Sequence, residues 1–269
     1  MPIILLNGVL KMTVQSVERA LKMLTLFSHR RAVLGISEIS RMMELPKGTV
    51  HGLAKTLVEY GFLNQDGQTR KYRLGLKIHE LGIILSSTLE INQRAAGPCH
   101  QLSRRTGLLS RIGIWDGGSV VITLNTHPNP LPVLPHQIGP RIHAYCSAIG
   151  KAILASLSEA ELEEYLGRTK LVAFTPATIT DKARLRKDLK SAQSRGYALD
   201  KEEAVQGLAC IGAPVFDRRG AVAGSLSLSG TVKQVLGAEA DLAEDLLTTA
   251  AEVSRYFGYF PTMMEAETF

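Results

Sequence analysis

The sequence is short of the features that mark secreted and membrane proteins. Its 269 residues contain three cysteines (Cys99, Cys146 and Cys210), an odd and sparse set that is typical of a reducing compartment. No stretch approaches the ~20 consecutive apolar residues that span a bilayer, and the apolar start lacks the cationic segment of a secretory signal. We therefore expect a cytoplasmic protein that does not act at a membrane, with residues 1–11 as an extension ahead of Met12.

Signals for metals, repeats and low complexity are also missing. His143 and Cys146 have the two-residue gap of some zinc sites, but no second close pair accompanies them, which argues against structural zinc. An apolar content of 45% and a charged content of 21% are those of an ordinary globular protein. The length allows two domains. We expect no metal and no cofactor.

Positive charge is confined to the N-terminal quarter. Residues 1–75 hold 11 Lys or Arg and 5 Asp or Glu, a net charge of +6, whereas residues 76–269 hold 20 of each. A basic segment of this kind is the electrostatic footprint of a nucleic-acid-binding domain. A solvated basic surface without a partner would give the same count.

The N-terminal quarter has the pattern of three helices and a hairpin. Apolar residues at helical spacing predict helices over residues 13–28, 37–44 and 47–60. Pro46 suits the first turn of the third helix, and Gly61 ends it. Asp66 and Gly67 mark a turn between two short strands. This order predicts a winged helix-turn-helix over residues 13–75, whose third helix would lie in the major groove.

Polar residues suited to DNA lie on the third predicted helix and on the wing. They are Lys47, Thr49, His51 and Lys55 on the helix, and Arg70 and Lys71 on the wing. His51 is the candidate for reading a base edge, Thr49 suits a phosphate or a base, and the cationic residues suit phosphates or the minor groove. Each residue taken alone could be an ordinary solvated side chain. Their ordered setting favours DNA binding.

The remaining residues predict a linker helix and an α+β domain. Residues 76–89 form a helix with a broad apolar face, which would pair two copies or pack on its own domain. Hairpins are predicted over 109–124 and 208–229. Helices are predicted over 91–105, 147–157, 159–166, 181–195 and 238–257. Prolines at 128, 130, 132 and 135 predict an irregular loop. Antiparallel hairpins with helices around them indicate an α+β domain over 93–260, after a linker at 76–92.

A polar pocket is predicted where one strand faces a helix end. Ser225, Ser227 and Ser229 share one face of their strand, and buried hydroxyls need partners that a ligand can supply. The alternative places these serines on a solvent face. The helix from Ser147 begins with small residues, whose free N–H groups at 148–150 could hold an anion.

Several motifs in order resemble the IclR family of bacterial transcriptional regulators, from about residue 13 to 258. The motifs cover residues 14–21, 36–40, 45–50, 72–75, 148–152, 196–203, 207–215 and 227–230. The resemblance implies a GAF-like effector domain and dimers. One departure concerns the recognition helix, where the family often has Arg after the position of His51 and this chain has Gly52. Glycine also costs ~1 kcal/mol in a helix relative to alanine, so the family's base contacts do not carry over.

The resemblance also implies an effector site. Ala148 and Ile149 match positions whose backbone amides hold a ligand carboxylate, and the side chains that match the pocket lining are Asp200, Cys210, Ser227 and Ser229. No Lys or Arg is among these matches. We therefore expect the amides to neutralise the anion and Asp200 to accept from a hydroxyl, which fits a small hydroxy-, oxo- or aromatic carboxylate. Simple packing of Cys210 and a solvated turn at Asp200 are the alternatives.

The favoured function is a non-catalytic, ligand-responsive repressor or activator. It would bind a pseudo-palindromic DNA operator as a homodimer or a dimer of dimers. The main alternative is an enzyme with Cys210 as nucleophile and His143 or Asp200 as partner, but the strand around Cys210 supplies no base or cationic neighbour. An architectural DNA binder would leave about 180 residues unexplained.

Overall fold

The structure is a computed structural model that describes residues 13–28, 30–128 and 141–260, together with the backbone of two short strands, β1 (Ile4–Leu6) and β2 (Val9–Lys11). The chain divides into two compact units, with the boundary between Leu85 and Ser86. This boundary falls inside the predicted linker. The predicted loop prolines at 130, 132 and 135 lie outside the described residues.

The first unit is a winged helix-turn-helix, as predicted. Its elements are α1 (Gln15–Leu24), α2 (Ile36–Met43), α3 (Lys47–Glu59), β3 (Leu63–Gln65), β4 (Tyr72–Leu74) and α4 (Leu76–Thr88), the last of which crosses the boundary. The strands β3 and β4 pair antiparallel. Its core gathers apolar residues from the three helices and the hairpin, with Met23, Ile39, Val50 and Leu63 fully or almost fully buried.

Two details of this unit could not be read from its pattern. Val17 and Leu21 of α1 have the helical spacing of an apolar face, yet they are 55% and 58% exposed, and the buried residue of α1 is Met23. In the wing, the backbone takes a positive φ at Arg70. Asp66 organises this turn, since its carboxylate accepts from the backbone N–H of Thr69 at 2.7 Å.

The second unit is built on a six-stranded antiparallel sheet. The strands are β5 (Leu109–Asp116), β6 (Ser119–Thr126), β7 (Arg141–His143), β8 (Ala198–Lys201), β9 (Leu208–Phe216) and β10 (Val222–Thr231). Their order in the sheet is β7-β6-β5-β10-β9-β8. The hairpins β5–β6 and β9–β10 confirm the two predicted ones, and the neighbouring pair β5–β10 joins them.

Helices cover both faces of this sheet. The helices are α5 (Glu90–Thr106), α6 (Ala148–Leu154), α7 (Glu159–Arg168), α8 (Lys182–Arg195), α9 (Val232–Leu236) and α10 (Glu239–Tyr256). One apolar core joins α5 and α10 to the sheet, and a second joins α6, α7 and α8 to its other face. The predicted α+β class with an antiparallel sheet is therefore confirmed.

The strand β10 shows how the sheet serves both faces. Leu226 and Leu228 are fully buried in the core with α5 and α10, while Ser225, Ser227 and Ser229 alternate with them toward the face that carries α6. These serines are at most 2% exposed, so the alternative of a solvent-facing serine row is wrong.

The sequence patterns missed the short edge elements β7, β8 and α9. Four residues or fewer per strand carry too little alternation to be recognised, and β8 is specified by its pairing with β9. Within the described ranges, no helix is both long and apolar enough to cross a membrane.

Candidate effector cavity and DNA-facing helix

A cavity of about 180 Å³ lies between the sheet and the start of α6. All six residues predicted for the effector site line it, namely Ala148, Ile149, Asp200, Cys210, Ser227 and Ser229. The lining also includes Arg111, Arg141, Ile142, His143, Cys146, Ser147, Phe174, Ala204 and Val205. We call this space the α6 cavity. The strand registers explain how residues more than 80 positions apart meet there.

The start of α6 is held unusually close to the sheet. A Cβ atom at Gly212 of β9 would lie 2.7 Å from the backbone carbon of Ala148, so only glycine allows this approach. Ser225 fixes the same turn from β10, since its hydroxyl donates to the carbonyl of Ile149 at 2.7 Å. At Gly150 a Cβ would collide with the backbone of Ala144. The helix start is therefore positioned by backbone packing.

Two amides at this helix start are available to a ligand, and not three as expected. The hydroxyl of Ser147 accepts from the N–H of Gly150 at 3.3 Å and donates to the carbonyl of His143 at 2.8 Å. Among the described residues, the N–H groups of Ala148 and Ile149 have no hydrogen-bond partner.

Asp200, Cys210 and Ser229 form one row across three strands. Asp200 of β8 is opposite Cys210 of β9, which is opposite Ser229 of β10. The Cys210 thiol donates to the Ser229 hydroxyl, with 3.1 Å between Sγ and Oγ. Burial raises the pKa of the Cys210 thiol to about 12, with the Asp200 charge acting in the same direction. The thiol is therefore protonated at neutral pH and lines the cavity as a weak donor.

Asp200 is a buried acid and not a solvated turn residue. It is 4% exposed, and one carboxyl oxygen accepts from the backbone N–H of Glu203 at 2.7 Å. Burial raises its pKa to about 7, with the charge of Glu203 adding to the shift and backbone hydrogen bonds opposing it. Near neutral pH, this carboxyl group can therefore accept a hydrogen bond or donate one.

The α6 cavity also contains an arginine that is not among the family-matched positions. Arg111 of β5 lies opposite Ser227 on the same sheet face, lines the α6 cavity and is 9% exposed. Its Nε is buried without a hydrogen-bond partner. A signal was present in the strand 109–116, where Arg111 is the one cationic residue in a mostly apolar run. No family motif covers this position, so the sequence did not assign it to the site.

The rim of the α6 cavity is formed by the segment that leads into α6. Arg141 contacts Asp116, with its Nη1 donating to the Asp116 carbonyl at 3.0 Å. His143 stacks on Phe174 with 4.9 Å between ring centroids. Cys146 donates weakly to the carbonyl of His143, and burial raises its pKa to about 12. Within the described ranges, no group of three or more His, Cys, Asp or Glu is arranged to hold a metal ion.

A buried ion cluster stands behind the α6 cavity. The Lys151 ammonium is 1% exposed and lies 2.5 Å from an oxygen of Glu203 and 2.8 Å from one of Asp188. It links α6, α8 and the segment after β8. Because Glu203 donates its N–H to Asp200, the cluster also supports the position of that acid. Local sequence pattern does not reveal this cluster, because Glu203 lies 52 positions from Lys151.

The predicted DNA-contacting residues lie on the surface of the first unit. Lys47, Thr49, His51 and Lys55 are exposed on α3, and Arg70 and Lys71 are exposed on the wing. Gly48 and Gly52 lie on α3 where a Cβ would meet no described atom within 4 Å. The middle of the helix surface is therefore open.

A winged helix-turn-helix with an open, basic recognition helix, followed by a separate α/β unit, defines a DNA-binding transcriptional regulator. The family model "IclR helix-turn-helix domain" matches residues 16–67, and "Bacterial transcriptional regulator IclR C-terminal" matches residues 84–255. The chain belongs to the IclR family of transcriptional regulators, which confirms the resemblance found in the sequence.

Individual proteins of known sequence or structure agree with this assignment. The HTH-type transcriptional regulator XynR of Escherichia coli strain K12 is 39% identical over 247 residues, which cover 91% of this chain and 98% of XynR. An IclR transcriptional regulator from Alicyclobacillus acidocaldarius superposes with a TM-score of 0.81 at 26% identity, covering 92% of this chain and 100% of that one. An IclR homolog from Microbacterium hydrocarbonoxydans, complexed with 4-hydroxybenzoate, shares the fold with a TM-score of 0.77 at 22% identity, covering 90% and 99%.

Proposed function

We propose that this chain is a cytoplasmic repressor or activator whose affinity for operator DNA is set by a small carboxylate bound in the α6 cavity. The observation that carries the proposal is the convergence of the six predicted effector residues on one cavity. The free amides of Ala148 and Ile149, the hydroxyls of Ser227 and Ser229, and Asp200 offer donors and acceptors on opposite walls. The bound 4-hydroxybenzoate of the Microbacterium homolog is an acid of this class.

In the proposed complex, α3 enters the major groove and the wing follows the backbone. Lys47, Lys55, Arg70 and Lys71 neutralise phosphates, Thr49 contacts a phosphate or a base, and His51 reads a base edge. Since the middle of α3 carries Gly52 where the family often has Arg, direct base readout rests on fewer side chains. We infer that DNA shape contributes a correspondingly larger share of specificity.

The proposed regulator acts as a homodimer or a dimer of dimers on a pseudo-palindromic operator. No residue of α4 is buried, and Leu76, Leu81 and Ile83 are 79%, 44% and 54% exposed. Apolar side chains exposed along a single helix support pairing with a second copy. Size determination in solution tests this: a strictly monomeric protein that binds DNA at full affinity would contradict it.

Binding of small acids to the full chain tests the effector site. Calorimetry with glycolate, lactate, pyruvate, benzoate and 4-hydroxybenzoate should detect at least one acid that binds with one site per chain. Ser227→Ala should weaken that acid about 5- to 150-fold, the effect of leaving a polar group unpaired. Arg219→Ala, in the exposed turn between β9 and β10, is the control and should leave the affinity unchanged. Equal affinity of the Ser227 variant and wild type would refute the placement.

The same titrations address the enzyme alternative. A nucleophilic thiol needs a thiolate, but burial holds the pKa of Cys210 near 12. Cys210→Ser should therefore retain most of the affinity, and no acid in the panel should be consumed by wild-type protein. Turnover that the Cys210 variant abolishes would support an enzyme instead.

A further inference from the structure

We propose that Arg111 pairs with the effector's carboxylate, and that the α6 cavity selects a monoanionic hydroxy acid whose hydroxyl faces Asp200 at the opposite end. This inference rests on the proposed function and assigns the ligand's charge and orientation. It makes Arg111, in place of the Ala148 and Ile149 amides, the group that neutralises the carboxylate. Two observations carry it: an unpaired buried guanidinium at one end of the sheet face that lines the cavity, and a buried acid at the other end.

Arg111 is a buried cation without a carboxylate partner in the described part of the chain. Nine-tenths of the residue is buried, and no carboxylate contacts it among the residues that the structure describes. A buried cation without a partner is costly, and its Nε has no hydrogen bond. The other arginine at the cavity, Arg141, contacts Asp116. Arg111 is thus the cation in the described lining whose counterion is missing, and a carboxylate matches its planar fork in a bidentate pair.

The second step is the separation of the two ends. Arg111 lies on β5 and Asp200 on β8, with β10 and β9 between them. Three strand spacings correspond to about 14 Å between the two backbones. Arg111 extends from one side and the shorter Asp200 from the other, with Ser227 and Ser229 on the strand next to Arg111. A ligand that contacts both needs its carboxylate and its hydroxyl at opposite ends.

The third step is the charge balance. Arg141 is paired with Asp116, and behind the cavity Lys151 is paired with both Glu203 and Asp188. Among the lysines and arginines of the described lining, Arg111 is therefore the one without a carboxylate partner, while Asp200 and Glu203 add negative charge at the other end. A second carboxylate on the ligand would lie beside Asp200 and Glu203, where like charges repel. A hydroxyl there donates to Asp200 instead, so the site favours a hydroxy acid over a diacid.

Calorimetry on the full chain with two matched ligand series tests this inference. The aromatic series is 4-hydroxybenzoate, 4-hydroxybenzamide and terephthalate; the aliphatic series is 4-hydroxybutyrate, 4-hydroxybutyramide and succinate. In at least one series the hydroxy acid should bind wild type at least tenfold more tightly than its amide and its diacid. Arg111→Met should weaken the hydroxy acid ~10- to 100-fold, as expected for a lost charge-assisted pair, and leave the amide within twofold.

Further variants separate charge pairing from simple folding effects. Arg111→Lys keeps the charge without the fork and should give an intermediate loss. Arg105→Met removes an arginine that is paired with Asp245 and does not line the cavity, and should change the hydroxy acid's affinity by less than threefold. Asp200→Asn should raise the diacid's affinity relative to the hydroxy acid, since it removes the repelling charge. Thermal melting of each variant checks that the second unit is folded.

The possible failures are distinguishable. If an acid binds and shifts DNA affinity but Arg111→Met binds it as wild type does, the role of Arg111 is refuted while the proposed function stands. If the diacid binds more tightly than the hydroxy acid, the orientation toward Asp200 is refuted. If no acid of either series or of the smaller panel binds wild type, both the inference and the proposed effector class are overturned.

Discussion

The two units of this chain differ in whether their cationic side chains are exposed or buried. In the first unit, Lys47, Lys55, Arg70 and Lys71 stand exposed and form no salt bridge with any described residue. In the second unit, Lys151 is buried and forms salt bridges with Glu203 and Asp188, whereas Arg111 is buried and forms no salt bridge with any described residue. Exposed, unpaired cations suit a large polyanion such as DNA, whereas one buried cation without a salt bridge suits one small anion.

Glycine also has opposite roles in the two units. At Gly212 and Gly150, backbone atoms of another segment occupy the space that a Cβ would need. The absence of a side chain there allows α6 to lie close against the sheet. Gly48 and Gly52 have open space around them on α3. The first pair serves the fold of the cavity, and the second pair leaves a smooth helix surface for a groove. Substitutions that exploit these contrasts test the account.

The largest effect is expected for the buried ion cluster. Lys151→Met leaves the Glu203 carboxylate buried without its cation, and losing one partner of a buried pair typically costs ~3–5 kcal/mol. The free energy of unfolding of the second unit, measured by urea titration of the full chain, reports the loss. The surface pair of Arg168 and Glu164, at 52% and 70% exposure, supplies the control, since Arg168→Met should cost at most ~0.5 kcal/mol. Equal stability of the two variants would break the contrast between buried and exposed charge.

A pH-dependent effect follows from Asp200. Its pKa is raised to about 7 when folded, so between pH ~4 and 7 the unfolded chain has lost a proton that the folded chain retains, and stability falls as pH rises. Asp200→Asn removes this pH-dependent loss of stability, because asparagine does not ionise, and its side-chain oxygen can still accept from the N–H of Glu203. The variant's advantage over wild type should grow from near zero at pH 4 to at most ~4 kcal/mol at pH 8.

Asp217 provides the matched control of opposite sign. Hydrogen bonds from the backbone of Arg219 lower its pKa, so its contribution is present at neutral pH and lost as pH falls. Asp217→Asn should therefore be the less stable protein at pH 7. An Asp200→Asn curve parallel to wild type at every pH would show that this carboxyl group ionises normally.

The same substitution, glycine to alanine, should have opposite signs in the two units. Gly212→Ala forces a Cβ into the backbone of Ala148 and should destabilise the second unit by ~1–3 kcal/mol. Gly52→Ala places a methyl group in open space within a helix and should stabilise the first unit by up to ~1 kcal/mol. Thermal melting of both variants gives the comparison, and destabilisation by Gly52→Ala would contradict an open α3 surface.

A smaller effect concerns the exposed cations. Each phosphate contact adds ~0.9 to the log–log slope of DNA affinity against salt, so Lys47→Ala and Arg70→Ala should each lower the slope by about one unit. Arg104→Ala, at an exposed position of α5, should leave the slope unchanged. If neither Lys47→Ala nor Arg70→Ala changes the salt slope, these residues do not contact phosphates and DNA binds at another surface.

Much of this architecture could be predicted from local pattern. Helical periodicity, Pro46 and Gly61 place the recognition helix, and alternation in β10 places Ser227 and Ser229 on one face. The positions of Asp200 and Cys210 came from family resemblance, because no local pattern tells a buried acid from a solvated turn. Contacts between residues on neighbouring strands could not be predicted from local pattern. Arg111 lies beside Ser227 only because β5 pairs with β10.

The central claim is that occupancy of the α6 cavity controls DNA binding by the first unit. The direct measurement is a DNA-binding titration of wild type and Ser227→Ala, using a duplex selected from random sequences, with and without the acid found by calorimetry. The account predicts equal DNA midpoints without the acid, because Ser227 lies outside the DNA-binding unit. It also predicts that the acid shifts the DNA-binding midpoint of both proteins. The acid concentration for the half-maximal shift should be about 5- to 150-fold higher in the variant than in wild type. Identical acid concentrations for the half-maximal shift in both proteins, or no shift in wild type, would contradict it.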